Sequence, residues 1–178
     1  MPLPPPHASR QLKHRRAVSV EAYLRDDGLW EIDARLGDVK THAVSGAAGV
    51  CPAGSPIHDL SLRLIVDTAF QIIAAGAESH AVPYPGHCDR HGDAYGQLVG
   101  LNLMQGFRRA VRERLGGLAG CTHLTELTDV LPTAVVQAFA GEVLDTRGDG
   151  DDAPFQLDRC HALATDGEVV RLHYPRWS

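Results

Sequence analysis

The sequence predicts an α+β fold, in which an antiparallel sheet of about four strands comes first and helices packed on one face follow it. Up to about residue 77, apolar and polar residues alternate, which is the period of a half-buried strand. Beyond Pro83 and Pro85 the apolar residues recur every three or four positions, which is the period of a helix. Strands grouped before helices are typical of an α+β architecture.

A β-hairpin opens the predicted sheet. Apolar residues alternate with polar ones over residues 18–24 and again over residues 30–36. The turn signal Asp-Asp-Gly at residues 26–28 separates the two runs. Asp38 and Lys40, which follow the second strand, are expected to form a surface pair.

A third and a fourth strand follow a loop rich in Gly, Ala and Pro at residues 43–56. Strand alternation places His58 on the core-facing side with Leu60, and Asp59 on the opposite face. The fourth strand covers roughly residues 70–77. The third strand therefore carries an imidazole towards the core.

Helices are predicted in the second half of the chain. One or two of them fill residues 93–115. Another begins near Thr122, is bent or broken at Pro132 and continues to Phe139. A short strand at residues 169–172 is expected to close the fold.

Length and composition predict one soluble domain. Residues 1–13 are Pro-rich and form a disordered tail, and residues 14–178 form a single α+β metal-binding domain. The net charge of −5 gives no basic field for nucleic acid, and the cationic run at residues 13–16 is expected to be solvated. No apolar run approaches the roughly 20 residues of a membrane span, and no signal peptide is recognised. These features predict a cytoplasmic protein with no membrane partner, compatible with a homo-oligomer.

Cys121 and His123 stand at the predicted start of a helix, within the box Gly-Cys-Thr-His-Leu at residues 120–124. A helix start exposes unpaired N–H groups and a positive dipole potential, which favour a thiolate. A thiolate is the form of cysteine that both metal binding and nucleophilic catalysis require. These two residues are therefore the first candidates for chemistry.

A metal site is predicted from His58, Cys88 and Cys121, with zinc or another divalent transition metal as the ion. These residues lie at a strand start, after the fourth strand and at a helix start, where the segments of an α+β fold converge. Three protein ligands would leave a fourth zinc position for water or substrate. None of the spacings is a zinc-finger pattern, so the alternative is that each residue is simply packed in the core.

Catalytic roles beside the ion are predicted for His123, Glu126 and Asp59. His123 is expected to accept a proton or to orient the substrate. Glu126, three residues later on the same helical face, either fixes the tautomer of His123 or is a solvated carboxylate. Asp59 is expected to orient a neighbouring group. A metal-free alternative uses Cys121 as the nucleophile and His123 as its base, although residues two apart on a helix do not face each other.

Four further residues could complete the site, and the sequence leaves their membership open. They are His87, His91, Cys160 and His161.

Four motifs resemble a bacterial family of unknown function. They are residues 25–33, Pro-Ile-His-Asp at 56–59, Leu-Val-Gly at 98–100, and the box at 120–124. The likeness covers nearly the whole chain after the tail. One branch of that family resembles the phenylcoumaran γ-formaldehyde lyases of bacteria that degrade lignin-derived aromatic dimers.

This resemblance implies a metal-dependent carbon–carbon lyase with a small aromatic substrate. The enzyme would release formaldehyde from a phenylcoumaran-type dimer and leave a stilbene. No redox cofactor is implied, and the sequence has neither a Gly-rich dinucleotide motif nor a phosphate loop.

A second likeness is to iron–sulfur scaffold proteins of the IscU/NifU type, which implies an IscU-like fold. His58, Cys88 and Cys121 stand where such scaffolds have three cysteines. This implies an alternative function, a non-catalytic carrier of a metal or an iron–sulfur cluster. The imidazole at the first position and the missing Cys-Gly-Asp box favour a mononuclear zinc site instead.

Overall fold

The computed structural model describes residues 2–46 and 48–178 and has the α+β architecture that the sequence predicts. Its main sheet has four antiparallel strands in the order β1-β2-β5-β6. These strands are β1 (His14–Leu24), β2 (Trp30–Lys40), β5 (Pro56–Val66) and β6 (Ile72–Ala81). Two three-residue strands, β3 (Val44–Gly46) and β4 (Gly49–Cys51), pair inside the segment that was expected to be a loop.

The β1–β2 hairpin has an uninterrupted register. Gly28 takes a positive φ of 80° in the turn, a conformation that glycine adopts without a steric penalty. Every second residue of β2 is buried, from Trp30 to Leu36, and the pattern continues to Asp38. Asp38 is therefore the last inward-facing residue of an otherwise apolar row, and the expected surface pair with Lys40 is wrong.

β5 carries the second inward-facing row. Leu60, Leu62, Leu64 and Val66 are buried, and His58 occupies the next position of the same face. Asp38 and His58 are direct cross-strand partners. The register shifts immediately afterwards, between Asp38 and Val39, so a β-bulge borders this pair.

After the sheet, the described residues form α1 (Phe107–Leu115), α2 (Thr122–Thr128), α3 (Leu131–Phe139) and α4 (Glu168–His173). A 3₁₀ segment over Cys88–Leu98 precedes them. The helix is interrupted as predicted, but at residues 129–130 and not at Pro132, which lies in the first turn of α3, where no backbone donor is lost. The predicted strand at residues 169–172 is wrong because these residues form α4, which buries only Val170. A four-residue apolar run is too short to distinguish the period of a strand from that of a helix.

The chain divides into two compact units, Met1–Leu131 and Pro132–Ser178. The sheet, α1 and α2 belong to the first unit, and α4 belongs to the second. Residues 2–13 form neither helix nor strand. Whether residues 14–178 form one domain stays a prediction. Among the described residues, no helix has the length and apolar character needed to cross a membrane.

Tyr95 and Gly120 fix the entrance to α2. The buried Tyr95 hydroxyl donates to the Cys121 carbonyl, accepts from the Cys121 N–H at 3.1 Å and lies 2.9 Å from Thr125 Oγ1. A side chain at Gly120 would collide with the Leu115 carbonyl oxygen. Contacts to the backbone of the Gly-Cys-Thr-His-Leu box therefore position α2 against the rest of its unit.

Replacing Tyr95 with Phe should lower the free energy of unfolding by roughly 1–3 kcal/mol, because the Cys121 amide loses its hydroxyl partner. Urea denaturation measures the change. Tyr84→Phe is the control, since Tyr84 is half exposed and its hydroxyl has no partner among the described residues. Equal unfolding midpoints for Tyr95→Phe and Tyr84→Phe would contradict this role.

Candidate functional site

A row of polar residues crosses three neighbouring strands on the core-facing side of the sheet. Arg16 of β1 is the cross-strand partner of Asp38 in β2, and Asp38 is the partner of His58 in β5. Side chains at opposed positions lie within contact distance on one face of a sheet. The register of the sheet therefore assembles this row without help from any loop.

Asp38 is the centre of the row, and only 3% of its surface is exposed. Arg16 donates two hydrogen bonds to it, Nε to Oδ1 at 2.9 Å and Nη2 to Oδ2 at 2.8 Å. His14 Nε2 lies 2.9 Å from Oδ1, and His58 Nδ1 lies 3.0 Å from Oδ2. The Arg16 guanidinium lowers the pKa of Asp38 far below its usual range, against the effect of burial, with help from His14 and His58.

Two imidazoles meet beside Asp38. The ring centroids of His58 and His123 are 3.9 Å apart, and the planes are tilted by 34°. If Nδ1 of His58 carries the hydrogen, it donates to Asp38 and leaves Nε2 as an acceptor. Burial, then His58 and Arg16, lower the pKa of His123, while Asp38 and Glu126 act in the opposite direction. His123 is therefore neutral near physiological pH.

Arg16 also connects the sheet to α2. Its Nη1 donates to Glu126 Oε2 at 2.6 Å, so that one guanidinium binds both Asp38 and the helix that carries His123. Glu126 was predicted to fix the tautomer of His123, but its carboxylate has Arg16 as its hydrogen-bond partner. In this structure Glu126 positions α2 rather than the imidazole ring itself.

Asp38, His58 and His123 also have the composition of a metal-binding group. Their donor atoms all lie within 4.8 Å of one another, and no other such group of three occurs among the described residues. The 3.0 Å between Asp38 Oδ2 and His58 Nδ1 is compatible with two ligands of one ion at about 2.0–2.1 Å. One carboxylate and two imidazoles suit zinc, manganese or iron. The donor set therefore fits a divalent transition metal.

A cavity of about 500 Å³ adjoins this group, and His123 belongs to both. Its volume is within the range of pockets that bind small molecules, about 300–1,000 Å³. The lining combines two thiols, three imidazoles and a phenol with Gly120 and Thr122 of the box at 120–124. The lining residues are Tyr84, His87, Cys88, His91, Gly120, Cys121, Thr122 and His123.

The predicted ligands His58, Cys88 and Cys121 do not form one compact group. His58 lies in the cluster with Asp38 and His123, whereas Cys88 and Cys121 are outside that cluster and line the cavity. Cys121 precedes α2, and the first turn of the helix presents His123 rather than the thiol to His58. A metal site made of the three predicted ligands stays a prediction, and the donor distances favour a different set.

Other predicted site residues lie in separate places. Asp59 points to the opposite face of the sheet, where Arg35 binds both its carboxylate oxygens at 2.6 and 2.7 Å. His87 and His91 line the cavity, and His91 Nε2 is buried without a hydrogen-bond partner among the described residues. Cys160 and His161 belong to the unit Pro132–Ser178 and are exposed.

Sequence analysis missed Asp38 and Arg16. The signal was present in the hairpin: counting outwards from the turn at residues 26–28 places Arg16 opposite Asp38. Two opposite charges at facing positions, on the side that carries the apolar residues, indicate a buried ion pair.

A family model described as a protein of unknown function, DUF2889, matches residues 14–137. The chain belongs to this family. No curated protein and no solved structure matches significantly. The DUF2889 region contains every residue of the Asp38–His58–His123 cluster and of the cavity beside it.

Replacing Asp38 with Asn should lower the free energy of unfolding at neutral pH by roughly 2–3 kcal/mol, because the buried carboxylate that accepts two hydrogen bonds from Arg16 is lost and Arg16 keeps only its pair with Glu126. The pKa of Asp38 is lower in the folded chain than the value of about 4 in the unfolded chain, so the stabilisation is complete above that value. It is lost as the pH falls towards the folded pKa. In Asp38→Asn the free energy of unfolding should therefore fall less steeply as the pH decreases through the acid range.

Urea denaturation across the acid range, with a chelator present, measures this effect. Asp59→Asn is the matched control, because it breaks a pair with the exposed Arg35 and should cost no more than about 1 kcal/mol. Equal losses for the two variants would show that Asp38 has no special role.

Proposed function

We propose that this DUF2889 protein is a carbon–carbon lyase that releases formaldehyde from a lignin-derived phenylcoumaran-type dimer. The observation that carries the proposal is a partly buried cluster in which two imidazoles are in contact and one of them forms part of a cavity wall. The motif resemblance supplies the substrate class, and the cluster supplies the proton chemistry.

The proposed reaction moves one proton and no net electrons. Removal of the proton from the γ-hydroxyl lets the oxygen electrons form the C=O bond of formaldehyde as the Cβ–Cγ bond breaks. The electron pair of that bond forms the Cα=Cβ bond of the stilbene, and the ring Cα–O bond breaks to give a phenolate. Protonation of the phenolate balances the reaction. It requires a base and a proton donor, but no redox cofactor.

His123 is the base in this proposal. Its lowered pKa keeps the imidazole neutral, and its position on the cavity wall lets it reach a bound hydroxyl group. The imidazolium that forms lies near the Asp38 carboxylate, which opposes the lowering of its pKa. The same imidazolium can then return the proton to the phenolate.

His58, Asp38 and Arg16 act as positioning residues. Asp38 orients His58 through the 3.0 Å contact to Nδ1, and Arg16 holds Asp38 and α2 together. In this arrangement the ring centroids of His123 and His58 are 3.9 Å apart, and the contact does not depend on the closing of a loop. The base is therefore preorganised before substrate binds.

A divalent transition metal such as zinc also fits this cluster, with Asp38, His58 and His123 as its ligands. Bound there, it would supply Lewis acidity towards the substrate hydroxyl, and His123 would then be a ligand rather than the base. The metal content of His123→Gln distinguishes these two roles.

A second candidate function is a non-catalytic carrier of a metal or an iron–sulfur cluster. Cys88 and Cys121 favour it, because both line the same cavity together with His87 and His91. Thiolates select zinc, copper(I) and iron–sulfur clusters. A carrier would need these thiols, whereas the lyase proposed here uses the imidazoles.

Incubation of the purified protein with a phenylcoumaran bearing a free γ-hydroxymethyl group should release formaldehyde and a conjugated stilbene in equal amounts. No nicotinamide or flavin should be needed. His123→Gln should lower kcat roughly 100-fold or more, because the proton acceptor is lost. The stilbene absorbance and a colorimetric formaldehyde assay measure the two products.

His80→Gln is the control for that measurement, since His80 lies on the opposite face of the sheet and contacts Ser61. Its rate should match that of the wild type. Absence of turnover by the wild-type protein, with and without zinc, would exclude the lyase. An unchanged rate in His123→Gln would exclude this residue as the base.

Elemental analysis should find one transition metal ion per chain if the cluster is a metal site. His58→Gln should lose the ion, since it removes one of the three clustered donors, while Cys88→Ser should retain it. Loss of metal in Cys88→Ser and Cys121→Ser, with retention in His58→Gln, would favour the carrier instead.

A further inference from the structure

The two edges of the sheet differ in how they are covered. At the β6 edge, Gly92 packs so closely that a side chain there would collide with the Ala77 carbonyl oxygen. Residues 100–103 hydrogen-bond to the chain around the start of β6. The Gly100 N–H donates to the Ile72 carbonyl oxygen, and the Ile72 N–H donates to the Leu101 carbonyl oxygen. The β6 edge is therefore occupied by the chain itself.

The β1 edge is open. In the part of the chain that the structure describes, β1 makes backbone hydrogen bonds to β2 alone. An unpaired strand edge presents a row of free N–H and C=O groups that can pair with another strand.

β1 is neither short nor interrupted by a bulge or a proline, three features that often protect an edge strand. It runs for 11 residues in unbroken register with β2, and its sequence contains no proline. Two of its apolar side chains are exposed, Val18 at 44% and Leu24 at 61%. Length, regularity and exposed apolar surface together favour pairing.

The charges along β1 identify a fitting partner. The strand begins with His14, Arg15 and Arg16 and carries Glu21 near its end. Arg15 and Glu21 share the face of β1 that lies opposite to Arg16, and Arg15 has no ion pair or hydrogen bond among the described residues. A second β1 strand, running antiparallel, is charge-complementary to the first.

We propose that β1 pairs with β1 of a second copy of this chain, which joins two four-stranded sheets into one continuous sheet. The register that fits places Val18 opposite Val18 on the two-fold axis. Each Arg15 then faces the Glu21 of the partner strand, which gives two symmetric ion pairs. Opposite charges at facing positions stabilise a strand pair, and like charges destabilise it.

Charge reversal tests this register. The wild-type protein should sediment as a dimer, and Arg15→Glu and Glu21→Arg should each raise the dimer dissociation constant about tenfold, because each places like charges opposite one another twice. The double variant R15E/E21R should restore the wild-type constant. Glu142→Arg, an exposed change outside β1, is the matched control and should have no effect.

Circular dichroism should show that all four variants remain folded, so that the dissociation constants can be compared. A wild-type protein that remains monomeric at all concentrations would overturn the proposal. A dimer that neither single reversal weakens, or that the double variant does not restore, would overturn it as well.

Discussion

The buried carboxylate of Asp38 is the constraint on which the rest of the first unit depends. A charge with 3% exposure must have compensating partners, and the Arg16 guanidinium, His14 and His58 supply them from two neighbouring strands. Because Arg16 also binds Glu126, this interaction connects to α2, whose entrance Tyr95 and Gly120 hold in place. Sheet register, helix placement and the contact between the two histidines are therefore one linked arrangement.

This arrangement joins a rigid polar centre to a less constrained cavity. Hydrogen bonds connect Asp38, His58 and Arg16, while the neighbouring wall carries two free thiols and the buried His91 Nε2, which has no hydrogen-bond partner in the described part of the chain. Preorganised donors suit proton transfer, since they need no rearrangement during the reaction. His123 belongs to this wall as well as to the cluster, so a change in the shape or polarity of the cavity would act directly on the proposed base.

The sheet could be predicted from the sequence because period-two alternation reports directly which face of a strand is buried. The same rule placed His58 on the core side and Asp59 on the other face. The residue that contacts His58 was harder to predict. The contact between His58 and His123 depends on where α2 lies against the sheet, and the local sequence does not determine that position. Arg16 was assigned to solvent because it follows two other cationic residues, whereas the hairpin register pairs it with Asp38.

The β-bulge beside Asp38 also affects how the chain can change length during evolution. The register of β2 with β5 runs evenly from Trp30 to Asp38 and shifts only beyond it, so Ile57 is the extra residue. Insertions or deletions in the connection before β5 can be absorbed at this point without altering the pairing of His58 with Asp38. A change in the length of the connection between β2 and β5 should therefore leave the polar row across the sheet in register.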